Sequence, residues 1–225
     1  MWHNLLSPKI DRSVCHYQQH TTMEVANTYN TIAQDFSHTR YSVWGGVRTF
    51  LDSLPPQSLV GDIGCGNGKN MLYKQERLKY EGVDISSEFV EICRARGLNV
   101  KEGSITQIPV PTHQYDHTIS IAVIHHLRTR EERLNAIREL VRVTKPGGSV
   151  LIYVWAAEQP ADSRRKFAGG DTIVPFHKKD GSVHGRFYHI YVEGELEAEI
   201  KSALGDVSVT IGYDTGNWIA ILQGY

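Results

Sequence analysis

"LVGDIGCGNGKN", residues 59–70, ends an apolar run in an acid, Asp62, followed by glycines at 64, 66 and 68. A turn of this kind grips a triphosphate, a dinucleotide or a nucleoside, and the spacing separates the three. A triphosphate loop needs a lysine followed by Ser or Thr, with four residues between its glycines. Here Lys69 is followed by Asn70 and the glycines alternate. The dinucleotide fingerprint G-x-G-x-x-G places its last glycine one position later. The D-x-G-x-G-x-G pattern suits S-adenosylmethionine instead. Glycines let the backbone approach a ligand without a Cβ in the way, and Asp62 offers a charge to the ligand's ammonium. In "YEGVDIS" (80–86) Asp84 ends the next strand, where a carboxylate accepts ribose hydroxyls. Ser104 and Ile105, after a third strand, border the adenine, and Ile121 completes the expected cofactor set: Asp62, Gly64, Gly66, Gly68, Asp84, Ser104, Ile105 and Ile121.

Outward from this turn, apolar runs alternate with helical patterns. Residues 23–54 read as two helical segments divided near Ser42–Gly46, with Val25, Tyr29, Ile32, Ala33 and Phe36 on one stripe. Strands are expected over 58–64, 80–86, 99–105, 115–124 and 149–155. A helix is expected directly after the glycines, a second capped by Ser86, and a third opened by a Thr129/Glu132 capping box. A helix near 193–203 precedes two strands joined by a turn in "DVSVTIGYDTGNWIAILQ". This order gives an α/β fold: the seven-stranded, mostly parallel sheet of class I S-adenosylmethionine-dependent methyltransferases, with one antiparallel strand and helices on both faces. Residues 1–22 read as a loose extension, 23–225 as one domain, and 161–189 as a substrate-binding insertion.

The bulk numbers agree. The chain has 225 residues, with 24 Lys and Arg against 25 Asp and Glu, so no global basic field announces nucleic acid. Its three cysteines, Cys15, Cys65 and Cys93, are widely spaced. They support neither a disulfide framework nor an internal metal site, and they point to a reducing compartment, cytoplasmic or also nuclear. No apolar run reaches membrane-spanning length.

Several stretches together carry a resemblance: "IAQDFSHTRYSVW" (32–44), "DIGCGNGKN" (62–70), "SIAVIHHL" (120–127), "YVWAAEQ" (153–159), "SRRKF" (163–167) and "RFYHIYVEGELE" (186–197). They resemble the enzymes that methylate carboxymethyluridine at the tRNA wobble position, completing 5-methoxycarbonylmethyluridine. The resemblance runs from about residue 24 to the C-terminus. It implies S-adenosylmethionine as methyl donor and the tRNA anticodon loop as partner. It also implies a heterodimer with a small zinc-binding activator subunit at the sheet edge near 99–105. Fungal relatives carry a longer, lysine-rich insert where this chain has only "HKKDGSVHG" (177–185).

A carboxymethyl group ionises near pH ~4, so at neutral pH the nucleophile is already an anion and needs no general base. Alignment can then carry much of the catalysis. Of the adjacent His125 and His126, one must face away from the site; His126 is expected toward the substrate. Arg40 suits a carboxylate, on the substrate or on the cofactor's methionine tail. Arg164 and Arg165 open a stretch, 161–189, with six basic residues against three acidic ones and interleaved aromatics; such a stretch contacts phosphates and stacks on unpaired bases. Arg40, His126, Arg164 and Arg165 are therefore the expected catalytic set. A small-molecule O-methyltransferase, or a noncatalytic RNA-binding subunit of the same fold, remains the alternative.

Overall fold

The computed structural model describes residues 12–39 and 41–224, with residues 12–22 as backbone alone. Helix α1 (Arg12–Ser37) begins inside the segment expected to be a loose extension. No glycine or proline interrupts 12–37, so nothing local stops the helix from running on toward the N-terminus. Helix α2 (Gly45–Ser53) follows the expected break and ends before Pro55–Pro56.

Strand β1 (Leu59–Ile63) leads into the glycine turn. The helix expected after the glycines does not form; residues up to Leu78 follow a succession of turns, closed by bonds such as Tyr73 N–H to Asn70 O and Arg77 N–H to Lys74 O. Positive φ at Gly66 and Gly68, and again at Lys74, breaks the helical repeat before it can propagate. Strand β2 (Lys79–Asp84) comes next, then helix α3 (Ser87–Ala95), whose first turn is capped by Ser86 Oγ accepting from Phe89 N–H at 3.3 Å. Strand β3 is shorter than expected, Val100–Glu102.

Strand β4 (Tyr115–Ile121) stops before the histidines, which lie in a single 3-10 turn, Ile124–His126. The Thr129/Glu132 capping box forms in both directions and opens helix α4 (Arg130–Val143). Strand β5 (Thr144–Trp155) is followed by an ordered hairpin, β6 (Gly170–His177) and β7 (Val183–Ile190), which occupies most of the expected insertion. Helix α5 (Glu195–Leu204) and strands β8 (Val209–Tyr213) and β9 (Asn217–Gln223) complete the chain.

The main sheet has the order β3-β2-β1-β4-β5-β9-β8, and β9 runs antiparallel to both its neighbours. Both faces of the sheet are covered. On β5, Val150, Ile152 and Val154 pack beneath α4 and α5 residues such as Ile137, Leu140 and Ile200. The alternate residues Leu151 and Tyr153 pack with Val47, Phe50 and Leu51 of α2. Period-two alternation with apolar side chains on both sides is what a strand buried on two faces requires. Cys93 lies in a third cluster with Met71, Val90 and Leu98, as a core residue. The β6–β7 hairpin forms its own two-stranded sheet and docks through Tyr188 and Ile190 on Trp155.

Candidate active site

Strands β1, β2 and β4 end at one rim, and a cavity of about 160 Å³ opens there. Its lining includes Gly64, Gly66, Asp84, Ser104, Ile105 and Ile121 from the expected cofactor set. The glycines have different duties. At Gly66 (φ +53°) a Cβ would meet nothing within 4 Å, so this is the point where backbone faces open space. At Gly68 (φ +74°), which is not on the cavity wall, a Cβ would come within 2.4 Å of Leu98 Cδ1, so that glycine serves packing against the segment after α3.

Asp84 fastens the turn. Its Oδ2 accepts from Gly66 N–H at 2.7 Å and its Oδ1 from Ser86 N–H at 2.9 Å. Burial raises its pKa to about 6, against the pull of these backbone donors. Asp62 stands one layer back, wholly buried and off the cavity wall. Its Oδ2 accepts from Asn70 Nδ2 at 3.3 Å, and Asn70 does line the cavity. Its Oδ1 has no donor among the described residues, and burial, foremost, raises its pKa to about 7. Asp62, expected to offer a charge to a ligand's ammonium, thus stands behind Asn70 and not on the cavity wall. Cys65 lines the cavity as a buried thiol, and the neighbouring Cys93 and burial push its pKa well up, away from thiolate chemistry.

Helix α1 roofs the site. Tyr29 and Phe36 lie on the cavity, and their rings meet Phe89 of α3 at 6.1 and 5.7 Å between centroids. Asn30 Oδ1 accepts from Ser86 Oγ at 2.7 Å, and Arg96 ties Asn67 O at 2.7 Å to Ser37 Oγ at 3.0 Å. The roof, the glycine turn and α3 are thus joined by side chains on all three.

His126 lines the cavity, but both its ring nitrogens are engaged. Nδ1 donates to Phe187 O at 2.8 Å, because a carbonyl can only accept, and Nε2 accepts from Tyr29 Oη at 2.7 Å. Burial lowers its pKa to about 4. The neutral ring is therefore a brace between α1 and β7, standing on the cavity wall on the side where it was expected. His125, fully buried, accepts from Trp155 N–H at Nδ1 (3.0 Å) and packs against Tyr188.

The remaining expected residues divide. Arg40 lies outside the described residues. Arg164 and Arg165 are exposed and off the cavity wall. Arg165 stacks on Trp155 with its guanidinium 4.2 Å from the ring centroid, and Trp155 in turn stacks on Tyr188 at 4.3 Å. Trp155 and Tyr188 both line the cavity, so Arg165 touches the site through an aromatic pair.

Residues 61–152 match the family model described as "Methyltransferase domain". A tRNA (carboxymethyluridine(34)-5-O)-methyltransferase of Schizosaccharomyces pombe is 34% identical over 221 residues, covering 88% of this chain and 95% of that protein. The chain belongs to the tRNA (carboxymethyluridine(34)-5-O)-methyltransferase family. A member of the family from Xenopus tropicalis is 35% identical over 255 residues, 88% of this chain and 40% of its own length. The chain spans less than half the length of the vertebrate members it matches. Among solved structures, one described as the "DhpI-SAH complex structure" aligns with a TM-score of 0.68 over 91% of this chain and 97% of that one, at 14% identity. A SAM-dependent methyltransferase from Aquifex aeolicus aligns at 0.61 over 87% and 98%, at 18% identity. The class I methyltransferase fold is thereby shown.

In this member of the family, the cavity wall also takes Tyr29 from the helical stripe and Tyr188 and Arg186 from the basic, aromatic stretch 161–189, none of them in the expected catalytic or cofactor set. Arg186 had a legible signal. In β7 the buried positions alternate, Arg186, Tyr188 and Ile190, so a charged residue stands where the strand pattern wants an apolar one.

Proposed function

We propose that this chain transfers the methyl group of S-adenosylmethionine to the carboxylate of 5-carboxymethyluridine at the wobble position of tRNA. The observation that carries the reading is family membership over nearly the whole of the S. pombe protein, which bears that activity in its name. The cavity fits the methyl donor: backbone without a Cβ faces open space at Gly66, and Asp84 offers a carboxylate beside it. Behind them the bare Asp62 oxygen supplies negative charge for an ammonium. Asp84 would hold the ribose, Ser104, Ile105 and Ile121 the adenine.

When bound, S-adenosylmethionine supplies a methyl made electrophilic by its sulfonium. The carboxylate oxygen of the acceptor forms the new O–C bond as the S–C bond breaks, and the electron pair stays on sulfur. No proton has to be removed, which accords with a site whose histidines are held neutral by burial, foremost, and by the nearby Arg186 charge. The chain's own residues align the acceptor and exclude water, with α1 as roof and the β6–β7 hairpin as wall. Arg164, Arg165 and the hairpin's Lys178 and Lys179 would meet the anticodon loop's phosphates. A zinc-binding activator would cover β3, which ends the sheet. A cytoplasmic or nuclear location belongs to the same reading; no helix among the described residues is long and apolar enough to cross a membrane.

Mass spectrometry of wobble nucleosides tests the reading, after tRNA bearing carboxymethyluridine is incubated with the chain, its activator and S-adenosylmethionine. A gain of one methyl on that nucleoside is expected. Methylation of small carboxylic acids with tRNA left untouched would instead establish the small-molecule alternative.

A further inference from the structure

Arg133 and Arg186 are both buried, at 4% and 5% exposure, but only one is neutralised by the protein. Arg133 faces the Glu199 carboxylate through Nε at 3.0 Å and Nη2 at 2.8 Å. Arg186 has no carboxylate within ion-pair distance among the described residues. Its Nη1 donates to Tyr188 Oη at 2.8 Å, and its guanidinium carbon lies 5.2 and 5.4 Å from the ring centroids of Tyr188 and Phe176. Its Nε is buried and has no acceptor among the described residues. The side chain lines the same cavity as Gly66, Asp84 and His126.

A buried cation without a counter-ion is costly. Aromatic faces attract the charge, but they offer no lone pair to an in-plane N–H. A guanidinium that lines a ligand cavity without a counter-ion is completed by an anion that arrives with the ligand, and a carboxylate matches its fork.

We propose that Arg186 binds the carboxylate of the acceptor base and so selects the ionised carboxymethyl side chain over neutral isosteres. The inference rests on the function proposed above and names the residue that reads its substrate. The methionine end of the cofactor carries a carboxylate too. The substrate is favoured because Arg186, Tyr188 and Phe176 belong to the β6–β7 hairpin, outside the main sheet, whereas the cofactor groups lie at the ends of β1, β2 and β4.

The role has a kinetic signature. As the O–CH3 bond forms and the S–CH3 bond breaks, the anion becomes a neutral ester. Arg186 therefore holds the bound acid more tightly than the transition state, and more tightly than the ester. Such an interaction lowers KM and sharpens selection without raising kcat, and it loosens when the product forms.

The test uses the full chain with tRNA bearing either carboxymethyluridine or carbamoylmethyluridine at the wobble position. Wild type is expected to bind the acid over the amide by roughly tenfold or more, a charge-assisted hydrogen bond being at stake. Arg186→Gln should raise KM for the acid by roughly 10- to 100-fold with a much smaller change in kcat, and abolish the preference; Arg186→Lys should restore part of it. Calorimetric affinity for S-adenosylmethionine should be unchanged, which also reports that the site is folded. A wild type without preference, or an Arg186→Gln enzyme that keeps it, overturns the inference. Equal loss of cofactor and tRNA affinity overturns it by assigning Arg186 to the cofactor's carboxylate. A wild type that methylates neither tRNA overturns the proposed function, and this inference with it.

Discussion

Asp84 sets the pH response of the cofactor cleft. Its carboxyl titrates near 6 and that of Asp62 near 7, both raised chiefly by burial. Hydroxyls and an ammonium bind the ionised forms, so affinity for S-adenosylmethionine is expected to level off above neutrality. It should weaken as pH falls through about 6, by roughly tenfold at pH 5 from Asp84 alone. Stability of the unliganded fold moves the other way. A carboxyl whose folded pKa is raised contributes stability that is fully present below its unfolded value, near ~4, and is lost as pH rises through the folded value. Thermal unfolding with and without S-adenosylmethionine at pH 5 and pH 8 checks both signs: the ligand-induced rise in Tm should be smaller at pH 5. Asp84→Ala removes the two backbone bonds as well as the proposed ribose acceptor, and should weaken binding by at least ~1.5–3 kcal/mol.

His126 gives a second expectation at this scale. Held neutral, with a pKa near 4, it should leave no ionisation in the rate between pH 5 and 8. His126→Asn, which can still donate to Phe187 O, should keep more activity than His126→Ala. Tyr29→Phe, which deletes only the hydroxyl that Nε2 accepts from, should fall between wild type and His126→Ala. Single-turnover methyl transfer as a function of pH, at S-adenosylmethionine concentrations that saturate at every pH so that Asp84 and Asp62 drop out, distinguishes this from base catalysis, which would produce a step near pH ~6.5.

Among the elements, α4 and α5 are clasped by one buried ion pair, Arg133–Glu199, with Tyr191 Oη donating to the same carboxylate at 2.8 Å. Removing one partner leaves the other charge buried. Arg133→Met should cost about 3–5 kcal/mol in denaturant unfolding, and the double variant Arg133→Met with Glu199→Leu should recover much of it. The segment leading into the β6–β7 hairpin answers to salt instead. Arg164→Glu with Arg165→Glu should raise KM for tRNA, with cofactor affinity preserved since neither residue reaches the cavity. Loss of the Arg165–Trp155 stack adds a change in tryptophan fluorescence as an independent readout. At this scale the sequence misled before residue 23, where α1 already runs, and again after the glycine turn. The segment after the glycines has the length and side chains of a helix, but a left-handed Gly68 at its start and a left-handed Lys74 within it stop the repeat, and only the backbone course reveals that.

For the whole molecule, the strand order leaves β3 at one end of the sheet with three residues, Val100–Glu102, paired on one side only. If the activator covers that edge, the chain expressed alone should aggregate or lose cofactor binding, and coexpression should give a 1:1 complex. Hydrogen exchange should then show new protection confined to residues near 99–105; a monodisperse, fully active chain without a partner would contradict the assignment. The sequence by itself determined the methyltransferase sheet, the glycine turn with Asp84, the Thr129/Glu132 capping box, the Ser86 cap and the family. These are local patterns: periodicity, spacing and turn chemistry are written in neighbouring residues. Only the tertiary structure decided that His126 is a braced, neutral ring, that Asp62 stands behind Asn70, and that Arg186 reaches the cavity without a carboxylate of its own. Each of those depends on groups far apart in the chain, such as Tyr29 meeting His126 or β7 folding back over β5. Burial, which decides whether a charge is satisfied or waits for a ligand, exists only once those segments have packed.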